Sequence, residues 1–186
     1  MNTTKLIGKR ALSLRYQAVA TLIALAAAVA LPQIFHLMGS FSGMGTSLGE
    51  TFLPMHLPIF FVGLIAGPLA GGVAGLLSPA VSFALTGMPS AVMLPFMMIE
   101  LCVYGLSCGL MKNIKMPTIA KVLIAQVAGR AVRALCLVVA IFGFGSRISI
   151  ATVWMSLATG IFGIALQWVL LPLLVYRVDG VLRNDG

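Results

Sequence analysis

The chain has 186 residues, 60% of them hydrophobic and 9% charged, with a mean hydropathy of +1.09. A soluble domain carries about 25% charged residues and about 45–50% apolar ones, so this chain lacks the polar surface to face water on every side. The net charge of +8 would suit a nucleic-acid binder, but on so apolar a chain it reads as loop charge on an integral membrane protein.

Lys5, Lys9, Arg10 and Arg15 precede an apolar run in the manner of a secretory leader. The run is about 20 residues long and no soluble domain follows it, so it is expected to stay as a transmembrane helix from about Tyr16 to Met38. A Gly/Ser-rich stretch follows from Gly39 to Thr51. The apolar block from Phe52 to Gly87 is too long for one span, and Pro68 divides it. That predicts one span over 52–67 and another over 68–86. Further spans are expected over 90–111, 117–142 and 148–176. Pro68 and Pro117 suit a first helical turn, where a missing N–H costs nothing.

The expected fold is therefore all-α: a single membrane domain over 1–186, an integral membrane bundle of six transmembrane helices. Nine of the 12 Lys and Arg residues fall on the side of the two termini: four before the first span, Lys112, Lys115 and Lys121 after the fourth, and Arg177 and Arg183 at the end. Arg147 alone falls on the other side, and Arg130 and Arg133 lie within a span. The positive-inside rule then places both termini in the cytoplasm. No Walker A motif is present, so uphill transport would need an ion gradient or a partner. Cys102, Cys108 and Cys136 lie in apolar runs without a CxxC pair and read as small buried hydrophobes.

Ala20, Ala24 and Ala28 recur every fourth residue, with Ala26 and Ala30 beside them. Such spacing lets a second helix approach closely, either inside the bundle or as a docking seam for another membrane subunit. Gly63, Gly67, Gly71 and Gly75 form a second ladder across Pro68, suited to a tight re-entry between two short helices. A Thr86-Gly87-Met88-Pro89 turn follows it.

Ionisable groups at membrane depth are functional candidates. Glu100 and Arg133 are expected at similar depth on oppositely directed spans, with Arg130 one turn deeper. An ion pair between Glu100 and Arg133 would offset the desolvation of each. Two arginines against one carboxylate leave one positive charge, which either bonds backbone carbonyls or receives an anionic ligand. His36 and His56 flank the Gly-rich loop at the outer boundary and could meet a ligand under it, although two histidines make a weak metal site. Tyr104 and Trp154 are candidate stacking surfaces. No nucleophile–base set is visible, so no enzyme activity is expected.

The run PMHLPIFFVGLIAGPLAGGVAGLLSPAVSFALTGMP, the continuation MIELCVYGLSCGLMK and the later AGRAVRAL resemble the substrate-binding S component of an energy-coupling factor (ECF) vitamin transporter. The likeness extends over nearly the whole chain. It implies a multi-pass protein of a prokaryotic plasma membrane that binds a water-soluble vitamin as substrate, with no cofactor. It also implies docking through Ala20, Ala24 and Ala28 on a shared transmembrane coupling subunit, with two cytosolic ATPase subunits driving the cycle. The 39–51 loop would be the lid. The surplus arginine favours an anionic vitamin, with pantothenate first and cobalamin, whose phosphate could also use an arginine, second. A self-sufficient secondary transporter of a small organic anion, built on Glu100, Arg130 and Arg133, is the alternative. Such proteins commonly carry internal repeats, and no convincing repeat is found here.

Overall fold

The computed structural model describes residues 13–45, 47–146, 148–149, 151 and 160–184, and leaves out the side chains of 48, 50 and 179–184. Every regular element among them is helical: α1 (Leu14–Phe41), α2 (Ser47–Phe52), α3 (His56–Ala66), α4 (Pro68–Thr86), α5 (Leu94–Leu110), α6 (Thr118–Phe144) and α7 (Ile161–Asn184). Helices α1, α4, α6 and α7 are long and apolar enough to cross a membrane.

Helix α1 starts at Ser13, whose hydroxyl accepts from the Tyr16 amide at 3.2 Å and satisfies one of the orphan donors of the first turn. It continues three residues past the expected end. The chain then folds back on it, with the Met44 and Gly45 amides donating to the Gly39 carbonyl at 2.9 and 3.0 Å. The Gly-rich stretch is thus shorter than 39–51, because Gly39–Phe41 completes α1 and Ser47–Phe52 forms α2.

The expected 52–67 span is also corrected. Leu53, at φ 48°, separates α2 from α3, and α3 holds 11 residues. At 1.5 Å per residue it reaches about 16 Å, roughly half the hydrocarbon thickness. It is buried on nearly every side, with Ile59, Phe60, Val62 and Leu64 in the core, so it serves as the bundle's centre. Gly67, at φ 105°, ends it in a conformation that L residues rarely adopt. Pro68 opens α4 at its first turn, as the missing N–H allows. Gly87, in the left-handed region, closes α4. Helix α5 begins at Leu94, four residues later than expected, and Pro117 caps α6 from outside it.

The widest interface joins α4 to α5, and α5 also packs on α3 and α6. Glycines explain how close these helices come. A Cβ on Gly105 would lie 2.0 Å from the Gly71 carbonyl oxygen, and one on Gly63 would lie 2.6 Å from that of Gly105. Three backbones therefore meet at one node. Where apolar burial from water drives no association, such contact supplies adhesion by dispersion and close packing.

The alanine stripe lies inside this bundle. Ala28 is fully buried, Ala24 is 6% exposed, and Ala20 packs against the same core. Helix α1 meets α3 and α4, so an intramolecular role accounts for the stripe's spacing, and Ala24 and Ala28 have almost no surface left on which a partner could dock. The exposed alanines of α1 are Ala18, Ala26 and Ala30.

Lysines secure one end of the bundle. Lys112 Nζ donates to the carbonyl of Ile65 in the last turn of α3, and Lys121 Nζ donates to the Lys112 carbonyl at 3.0 Å. A cation at a helix C-terminus meets the partial negative charge of unpaired carbonyls. Lys121, expected with the loop charges, sits within α6 and is buried.

Candidate functional site

Four-residue spacing puts Glu100 and Tyr104 on one face of α5, and three-residue spacing puts Arg130 and Arg133 on one face of α6. The helices bring these faces together. Arg133 Nη1 donates to Glu100 Oε2 at 2.7 Å, and Tyr104 Oη donates to Glu100 Oε1 at 2.6 Å. Glu100 is 2% exposed, yet each carboxylate oxygen has a donor. That is the condition under which a buried charge is tolerated.

Tyr104 is fixed from three sides. Its ring stacks on Phe60 of α3 at 4.7 Å between centroids and tilts against His56 at 5.5 Å. Its third neighbour is Gly129 of α6, where a Cβ would come within 2.3 Å of the ring. His56, at the start of α3, is buried and lies within electrostatic reach of Glu100, Arg130 and Arg133. Arg130 extends toward the start of α7, where a Cβ on Gly160 would lie 2.9 Å from its Nη2.

The pairing accounts for only part of the polar capacity here. Arg133 Nε is buried without a hydrogen-bond partner among the described residues, and so is His56 Nδ1, although the Leu53 backbone lies close to its imidazole. Such groups carry the full desolvation cost of burial. A ligand with acceptor atoms would relieve the arginine nitrogen, and one with a donor or acceptor would relieve the imidazole.

The structure thus gathers His56, Glu100, Tyr104, Arg130 and Arg133 in one cluster. It holds His36 by a separate contact, its imidazole against Gly49 of α2, where a Cβ would come within 2.7 Å of Cε1. Trp154 lies outside the described residues. No group of three or more His, Cys, Asp or Glu side chains able to hold a metal occurs among the described residues. The three cysteines are free.

One polar set escaped the sequence reading, which weighed only ionisable groups at depth. Gln126 of α6 bonds Gln167 and Trp168 of α7 inside the bundle. The available signal was position, since Gln126 precedes Arg130 by four residues and Arg133 by seven on a single helix face. Comparison with family profiles, curated proteins and solved structures finds no match to this chain.

Proposed function

We propose that this chain is the vitamin-binding S component of an ECF-type importer, a non-enzymatic membrane subunit that holds a small water-soluble vitamin within its helical bundle. The observation that carries the reading is the buried Glu100–Arg133 pair with Tyr104 and His56 around it and with polar nitrogens left over. Buried polar groups that the protein itself leaves unsatisfied are what a pocket for a polar ligand requires, and a membrane interior makes them costly otherwise.

Pantothenate is the first candidate ligand. Its carboxylate can accept from a guanidinium in a bidentate pair, the geometry that arginine offers and lysine does not. Cobalamin is the next. In the proposed topology the chain crosses the plasma membrane of a prokaryote six times with both termini in the cytoplasm. The short α3 shares its span with α2. ATP hydrolysis falls to two cytosolic subunits, coupled through a shared transmembrane subunit. That subunit meets the outward face of α1, where Ala18, Ala26 and Ala30 permit close approach.

The test is binding by the purified chain without ATP, measured by calorimetry with pantothenate and with cobalamin, alongside mass spectrometry of any vitamin that co-purifies. Saturable tight binding of one vitamin is expected. Absence of both binding and a co-purified vitamin would reject the reading. Uptake into proteoliposomes by the chain alone would replace it with the secondary transporter of an organic anion.

A further inference from the structure

Between α6 and α7 runs a chain of hydrogen bonds whose direction is dictated at one end. An indole N–H donates and never accepts. Trp168 Nε1 therefore donates, and its acceptor at 2.9 Å is Gln126 Oε1. With its oxygen engaged, Gln126 presents Nε2 to Gln167 and donates to Oε1 at 2.8 Å. Gln167 must then hold its own Nε2 at the far end of the chain. Turning either amide over would set donor against donor. The direction is fixed, and its last member is a donor.

That last donor has no acceptor among the described residues. Gln167 is 2% exposed and Gln126 4%, so the surroundings of the bundle do not satisfy it. Gln126 shares its helix face with Arg130 and Arg133, about 10 Å along the axis from the latter. Gly129, on the turn between them, bears against the Tyr104 ring. The amide chain is therefore a continuation of the polar face that carries the ion pair.

We infer that Gln167 Nε2 is a second anchor of the ligand site, donating to an uncharged oxygen, an amide carbonyl or a hydroxyl, of the molecule whose carboxylate meets the arginines. The inference rests on the ligand-binding reading above and narrows its substrate class. The ligand then carries an acid at one end and a neutral acceptor further along. Pantothenate, with a carboxylate at one end and amide and hydroxyl oxygens toward the other, is of this kind.

The experiment is calorimetry on the full-length protein with pantothenate and with β-alanine, which keeps only the acid end. Gln167→Met is expected to weaken pantothenate binding about 10-fold, the effect of one lost hydrogen bond and a stranded acceptor, while leaving β-alanine binding unchanged. If the unaltered protein binds no pantothenate, the choice of ligand fails and this inference falls with it. If it binds and a folded Gln167→Met binds equally well, this inference alone is overturned. An equal loss for both ligands overturns it too, since the substitution would then act on the whole bundle. Should Gln167→Met fail to fold, Trp168→Phe takes its place. Trp168 is 37% exposed, and losing its N–H frees both amides to rotate. A loss of about 3-fold is then expected, and unchanged affinity would reject the anchor.

Discussion

Arg133 of α6 and Glu100 of α5 face each other across 2.7 Å inside the bundle, and Tyr104 occupies the carboxylate oxygen that the arginine leaves open. Glu100 is the more deeply buried partner, with 3% of its side chain exposed against 17% for Arg133. The pair is therefore asymmetric. Removing the arginine strands a buried carboxylate, whereas removing the carboxylate leaves a guanidinium with some access to the surroundings.

Arg133→Met should accordingly destabilise the bundle by about 3 kcal/mol, toward the low end for a broken buried pair. Glu100→Gln should cost less. The double substitution Arg133→Met, Glu100→Gln should recover most of the loss, because no unpaired charge remains. Unfolding of all three variants in one detergent checks the order. In the same set, a folded double variant that no longer binds vitamin would keep Arg133 in the pocket. Undiminished affinity would make the pair scaffold alone and shift the preferred ligand from pantothenate to cobalamin.

Tyr104→Phe separates the hydroxyl from the ring. The ring's contacts with Phe60, His56 and Gly129 remain, but Glu100 Oε1 loses its donor. A buried acceptor left without a partner costs about 1–3 kcal/mol. Thermal unfolding should show that loss with helix content unchanged. A variant as stable as the parent would show that another donor reaches the carboxylate.

Much of this site was legible because chemistry at membrane depth is conspicuous. Glu100, Arg130 and Arg133 are ionisable residues in apolar runs, and the opposite directions of α5 and α6 predict the pairing of Glu100 with Arg133. The Thr86–Pro89 turn and the start of α4 at Pro68 follow from the φ requirements of glycine and proline. Other features depend on three-dimensional choices that periodicity does not encode. Alanines at four-residue spacing mark a close-packed face without saying what packs on it, and α1 turns that face inward. The gap between α2 and α3 falls at Leu53, which Pro54 after it biases away from the right-handed helix, but the positive φ that Leu53 takes is set by the surrounding packing. Gly105 and Gly109 repeat the four-residue glycine spacing within α5, but what they face appears only once Gly71 and Pro68 lie opposite.

Gly105 supplies the next prediction. Gly105→Ala would set a methyl group 2.0 Å from the Gly71 carbonyl oxygen, so α4 and α5 must part along their widest interface. Overpacking of this kind typically costs about 1–3 kcal/mol, and rigid backbone on both sides places it at the upper end. Gly143→Ala is the control, since its methyl would meet only a Val139 side-chain carbon at 3.7 Å. That change should be neutral or gain about 0.5–1 kcal/mol from the better helix former. Equal stability of the two variants would show that the glycine node does not hold the bundle.

The two faces of α1 make opposite predictions for one substitution. Ala28 is fully buried in the core, and tryptophan there has no room, so Ala28→Trp should disrupt the fold and lower the yield of monodisperse protein. Ala26 lies two positions away, about 200° around the helix at 3.6 residues per turn, and it is exposed. Ala26→Trp should therefore leave folding and vitamin binding intact. If the proposed function holds, its effect should appear only with the coupling and ATPase subunits present, because a large side chain holds a partner helix away from the α1 backbone. Vitamin uptake by cells carrying the whole assembly, measured beside binding by the isolated chain, separates these outcomes. Loss of uptake with binding retained would place the coupling subunit on the Ala26 face. If uptake survives Ala26→Trp, that face meets lipid and the partner docks on another helix.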